Sequence, residues 1–268
     1  MTIVDQRLKR PDLGRDLAGC GYYIGRVAES VARKRAKVIA RWSAMRAFPT
    51  RTVVQTTILL SPAVLTFVSA GTVHFWQGWL YWGTFLLFTN VTGIYLRLRN
   101  PALLERRMRA GPTEESRPLE KAVMTALLVV WFGLAIVPGL DCRFGWSRVP
   151  ASVSVIADLI VVGSFVIFLL VLHENAFAAS TVTVEPGQRV ISTGLYAHVR
   201  HPMYTGGLLL LFATPVALGS WRALIISALS VPILLARIFD EERTLSEELA
   251  GYDSYRRAVA YRLIPLLW

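Results

Sequence analysis

Cysteine, histidine and charge are all scarce in this sequence. Its 268 residues hold two cysteines, Cys20 and Cys142, and four histidines. They form no CxxC pair and no Cys/His cluster, so no metal site is expected. The topology argued below puts the two cysteines on opposite sides of a membrane, which speaks against a structural disulfide. Charged residues make up 18% of the chain, whereas a soluble domain carries about 25%. Hydrophobic residues reach 54% and the mean hydropathy is +0.46. That composition excludes disorder and argues against a soluble globule. Between Arg51 and Arg97 there is no Asp, Glu, Lys or Arg at all. About 20 apolar residues cross a bilayer, so this stretch is long enough for two spans. The N-terminus, MTIVDQRLKRPDLGRD, lacks the apolar core of a signal peptide. The first span is therefore expected to act as an uncleaved anchor.

Six apolar segments follow one another: Val53–Val73, Trp79–Leu96, Ala122–Leu140, Val153–Leu172, Met203–Leu218 and Ala223–Phe239. His74-Phe75-Trp76-Gln77-Gly78 reads as a tight aromatic turn between the first two. The last two are short and joined only by Gly219-Ser220-Trp221-Arg222, the pattern of a helical hairpin. Pro62, Pro215 and Pro232 fall inside spans, where proline is tolerated as a kink. The fold expected is an all-α, multi-pass integral membrane protein with about six transmembrane helices.

Charge asymmetry orients it. Residues 1–52 hold 12 Lys/Arg and residues 97–121 hold seven, while the loops between them are sparse in both. The positive-inside rule then places both termini and the 97–121 loop in the cytosol. From Ile24 to Met45, apolar residues recur every three or four positions among Arg33, Lys34, Arg35, Lys37 and Arg41. That is the pattern of a basic amphipathic helix lying on an anionic membrane surface. The topology already accounts for the basic excess, so no nucleic-acid partner is expected. The arginine-rich, short-looped organisation has a bacterial look and points to an inner membrane.

Chemistry concentrates after the fourth span. Three of the four histidines and eight of the 18 acids lie from His173 onward. Arg200-His201-Pro202-Met203-Tyr204 stands at the start of the hairpin, with Pro202 suited to a first helical turn. Arg200 reads as a basic anchor at the membrane surface, and Glu241-Glu242 as a candidate acidic turn. Arg237 and Glu241, four apart, share a helix face at the end of the sixth span. The hairpin returns the chain to the same side and can bring these two clusters together in one surface pocket. Asp158, inside the fourth span, reads as a buried polar contact.

These motifs carry a resemblance. G-x-Y-x-x-x-R-H-P-x-Y-x-G at Gly194–Gly206 and R-x-x-x-E-E-x-x-L at Arg237–Leu245 are followed by Tyr252, Tyr255 and a terminal R-x-x-P. Together they resemble the isoprenylcysteine carboxyl methyltransferase family, relatives of the phospholipid N-methyltransferases. The resemblance covers the C-terminal third. It implies an integral membrane methyltransferase using S-adenosylmethionine without a Rossmann domain. By motif position it implies cofactor contacts from Gln188, Arg189, Val190, Ile191, Tyr196, His201, Pro202, Met203, Tyr204 and Glu241. In the prenylcysteine enzymes the arginine four residues before that glutamate contacts substrate; here it is Arg237. Arg237 and His201 are accordingly the candidate catalytic residues. The role of His201 stays open, because an amine or thiol acceptor needs a base and a carboxylate does not.

The domain organisation expected is a basic N-terminal segment (1–50), four spans (51–172) and a cofactor-binding region (173–268). The acceptor is expected to be lipophilic or small, reached at the cytosolic face beside membrane lipid. An NADPH-dependent sterol reductase is the alternative, since those enzymes share the hairpin and an arginine-histidine-x-x-tyrosine motif. Against it, Met203 and Gly207 stand where reductases carry Asn and Glu.

Overall fold

The computed structural model describes residues 60–268 apart from 109, 116 and 179, together with Glu29, Val31, Ala32 and Arg35. The expected amphipathic helix at Ile24–Met45 lies outside the described residues except for those four, which are helical. The chain divides into Met1–Ile58 and Leu59–Trp268, and the second unit carries everything below.

Its described residues form helices and no strands. They are α1 (Leu60–Ala70), α2 (Trp76–Arg99), α3 (Pro101–Met108), α4 (Pro118–Phe144), α5 (Ala151–Glu174), α6 (Pro202–Ala217), α7 (Leu224–Glu248) and α8 (Tyr252–Ala258). A 3-10 turn at Gly194–Ala197 precedes α6. α4 and α5 are long and apolar enough to cross a membrane, and α1 and α6 are shorter apolar helices.

Local chemistry sets the boundaries. Pro118 and Pro202 open α4 and α6, where the missing N–H costs nothing. Gly145 closes α4 in the left-handed conformation. Two of the departures from the sequence reading matter here. Trp76, Gln77 and Gly78 belong to α2, so the first turn is Gly71–Phe75, three residues earlier than expected. α7 runs nine residues past Phe239 to Glu248. Arg237, Glu241 and Glu242 thus ride on a single rigid helix rather than on a turn.

α5 packs on both α2 and α6, α4 packs on α7, and α6 packs on α7. Without a hydrophobic drive between helices in lipid, close packing and internal hydrogen bonds hold such a bundle. Gly139 supplies one close approach: a Cβ there would lie 2.4 Å from the Thr66 carbonyl oxygen of α1. Gly206 supplies another, against Phe168 of α5. The core is aromatic, with Tyr81, Trp82, Phe85 and Phe165 buried and Trp131 packed against them. Tyr81 and Thr214 share a hydrogen bond of 2.9 Å between α2 and α6. Thr84 donates to the buried Asp158 at 2.7 Å, which makes that acid a polar contact between α2 and α5. Large apolar side chains such as Val68, Leu87, Val129, Ile156, Leu159 and Ile225 face outward, as lipid-facing positions do.

The two ends of α4 carry different polar work. At its C-terminal end Asp141 accepts from Ser147 and Ser220, tying α4 to the α6–α7 turn. At its N-terminal end Glu120 joins the site described next.

Candidate functional site

A cavity of about 280 Å³ opens between the irregular segment 175–193, the starts of α4 and α6, and the C-terminal half of α7. The hairpin makes it possible. α6 leads away from Tyr204, and α7 returns Arg237 and Glu241 to the same level. Gln188, Arg189, Val190, Ile191, Tyr196, His201, Met203, Tyr204, Arg237 and Glu241 all line this cavity. Pro202 does not line it; it is buried in the first turn of α6.

A chain of hydrogen bonds crosses one wall. Arg237 Nε donates to the Tyr204 hydroxyl at 3.0 Å, and that hydroxyl donates to Glu241 Oε2 at 2.6 Å. Arg237 and Glu241 are therefore linked through a phenol. Arg237 Nη1 donates to Glu120 Oε2 at 2.5 Å. Its Nη2 donates to the Ser180 carbonyl at 2.7 Å and to Glu115 Oε1 at 3.3 Å.

A second polar knot lies beside it. Glu242 points away from Glu241, as successive helical positions must, and is buried. Its Oε1 accepts from Arg200 Nε at 2.8 Å and from His201 Nε2 at 3.2 Å. Its Oε2 accepts from Arg262 at 3.0 Å. Burial by itself raises this carboxyl, but the hydrogen bond and charge of His201, with Arg262 and Arg200, overcome it and hold Glu242 at about 2. Arg200 also donates to the Val259 and Ala260 carbonyls. It is thus a buried tie to the C-terminal segment, and the reading of Arg200 as a surface anchor is corrected. Its charge is neutralised inside the protein, where an unpaired cation would be costly. Likewise Glu242 is no solvated turn. His201, the residue before α6, makes no side-chain cap; its imidazole is spent on Glu242.

The remaining walls are quieter. Asn175 donates to the Tyr196 hydroxyl at 3.0 Å, and Tyr255 donates to the Tyr196 carbonyl at 2.8 Å. Burial pushes the Tyr196 phenol up to about 12, so it stays protonated at neutral pH. Gln188 folds back on its own loop and accepts the Glu185 N–H at 2.9 Å.

Four site residues escape a reading of the sequence alone: Arg107, Glu115, Glu120 and Glu242. The first three sit in or beside a stretch whose basic residues read as topology signals. Arg107 lines the cavity and donates to the Ala178 carbonyl at 3.0 Å. Burial pushes its guanidinium below the ordinary value. Among the described residues it has no carboxylate partner. Glu115 and Glu120 announce themselves only through Arg237, which lies more than a hundred residues away in the chain.

Comparison with known proteins bears on this region. Residues 155–247 match the isoprenylcysteine carboxyl methyltransferase family, a stretch that includes the motifs at Gly194–Gly206 and Arg237–Leu245. Methanethiol S-methyltransferase 2 of Bradyrhizobium diazoefficiens is 39% identical to this chain over 95 residues. That match covers 35% of this chain and 36% of the relative, so it spans about a third of the curated protein. Neither comparison supports the reductase alternative.

Proposed function

We propose that this chain, which matches the isoprenylcysteine carboxyl methyltransferase family over residues 155–247, is a membrane-embedded, S-adenosylmethionine-dependent methyltransferase. Its acceptor is a small or lipophilic molecule, met at the cytosolic face of a bacterial inner membrane with both termini inside. The observation that carries the reading is the convergence of Tyr204, Arg237 and Glu241 on one cavity inside the family-matched region. Of the acceptor classes open to the family, a thiol has the support of the methanethiol-named relative.

The cavity fits such a donor. S-adenosylmethionine, when bound, supplies a methyl group on a sulfonium for in-line displacement. Glu241 offers a carboxylate to its cationic amino group, and charge-assisted contacts of that kind are among the stronger ones. Arg107, which has no carboxylate partner among the described residues, is suited to the donor's carboxylate. The 182–191 segment gives backbone and apolar surface for the rest. Gln188, Arg189, Val190, Ile191, Tyr196, His201, Met203 and Tyr204 would line the donor, while Pro202 would shape the loop without touching it.

The residues' own work is positioning and proton handling. Geometry that fixes reacting partners accounts for much of a displacement's acceleration. A thiol acceptor must shed its proton. The Tyr204 hydroxyl, whose own proton is directed at Glu241, can take up that proton as it passes its own along. Arg237 Nε, donating to the same oxygen, holds the phenol in place for that relay to Glu241. His201 is held by Glu242 and acts as a fixed wall.

The deciding experiment is calorimetry on detergent-purified protein with S-adenosylhomocysteine and with NADPH. Saturable binding of the first and none of the second supports the reading. The reverse result would overturn it.

A further inference from the structure

The environment of Arg237 bears on the charge of the acceptor. Four of the five N–H groups of a guanidinium are engaged at this residue, by Tyr204, Glu120, Ser180 and Glu115. Its side chain is 6% exposed, those of Glu115 and Glu120 only 3% and 0%. One ionised carboxylate balances a guanidinium, and here two carboxyl groups contact it. Of the other cations that line the cavity, Arg107 is the one suited to the donor's carboxylate, and Arg189 is exposed to screening water. Arg117 is paired with Asp240 at 2.7 Å, and Glu241 accepts from Tyr204. Even with one of Glu115 and Glu120 protonated, the acids Glu115, Glu120, Asp240 and Glu241 outnumber the two cations Arg117 and Arg237. A further anion at this wall meets like charge in a place where little water screens it. An uncharged group meets no such penalty, and Met124, Leu127 and Met203 give it apolar lining nearby.

We infer that Glu115 and Glu120 set the charge class of the acceptor: by engaging Arg237 internally they make the site admit an uncharged acceptor such as a thiol and reject a carboxylate. Both acids lie outside the stretch that matches the family. They act on the acceptor through Arg237, as positioning residues. The inference deepens the methyltransferase reading and rests on it.

The test pairs two acceptors of equal chain length, butanethiol and butyrate, at pH 7 with the full chain in detergent. Binding is read by calorimetry with S-adenosylhomocysteine bound, so that Arg107 is occupied, and methyl transfer is read with labelled S-adenosylmethionine. Wild type is expected to bind and methylate butanethiol with at least about tenfold preference over butyrate. The Glu115→Gln/Glu120→Gln double variant frees Arg237, and the preference should move toward butyrate by about tenfold or more. A merely structural role would lower both acceptors together and leave the ratio unchanged. Should the double variant fail to bind S-adenosylhomocysteine, Glu115→Gln alone is read, because Glu115 makes the longer contact. Wild type taking butyrate as well as butanethiol overturns the inference while leaving methyl transfer intact. An unchanged ratio in a donor-binding variant does the same. Absence of donor binding in wild type overturns the proposed function, and the inference with it.

Discussion

Replacing Glu242 with glutamine keeps the shape of the side chain and removes its charge. In the folded protein that carboxylate is 5% exposed and accepts from Arg200, His201 and Arg262. It is held at about 2, well below the ordinary 4.5. Each tenfold change in proton affinity is worth about 1.4 kcal/mol, so the ionised group contributes roughly 3 kcal/mol to stability. Loss of one partner from a buried ion pair costs about 3–5 kcal/mol, because the other charge is left uncompensated. The two figures agree. In a chain of this size roughly 3 kcal/mol corresponds to a fall in Tm of about 6–12 °C. The pH dependence has a definite sign. A depressed carboxyl stabilises fully above its ordinary value and loses that contribution as pH falls through its folded value. Melting curves of wild type and Glu242→Gln in the same detergent should therefore differ by a constant amount from pH 7.5 to 5.5. The gap should close below about pH 4.5. A gap under about 2 °C at pH 7, or one that widens on acidification, would refute the assignment of Glu242 as the ionised hub of this knot.

Glu241→Gln should weaken S-adenosylhomocysteine about tenfold or more, since a charge-assisted contact is worth roughly 1.5–3 kcal/mol. Calorimetry checks this, and unchanged affinity would move the donor's amino group elsewhere. Gly139→Ala should destabilise by about 1–3 kcal/mol through overpacking, because its Cβ would meet Ser69 Oγ at 2.0 Å and the Thr66 carbonyl at 2.4 Å. A melting temperature equal to wild type would show that α1 and α4 can separate freely. A tag after Trp268 should be inaccessible from outside intact cells; labelling there would sink the cytosolic placement of the C-terminus.

Composition and motif spacing determined a good deal. The charge-free stretch from Arg51 to Arg97 and the later apolar runs led to the expectation of helices, which the described residues meet, because hydropathy and length act locally along the sequence. Pro202 marks a helix start for an equally local reason. The motifs from Gly194 and Arg237 pointed to one site, since a short hairpin can only return the chain to where it left. Tertiary structure decided which groups are paired. Arg200 and Glu242 read as a surface anchor and an acidic turn, yet both are buried partners, because α7 continues past Phe239 and the C-terminal segment folds over them. Glu115 and Glu120 read as part of a basic topogenic loop, yet they hold Arg237 across more than a hundred residues. Burial and pairing depend on what arrives from distant parts of the chain. No window of sequence contains that information, and the electrostatic state of this site rests on it.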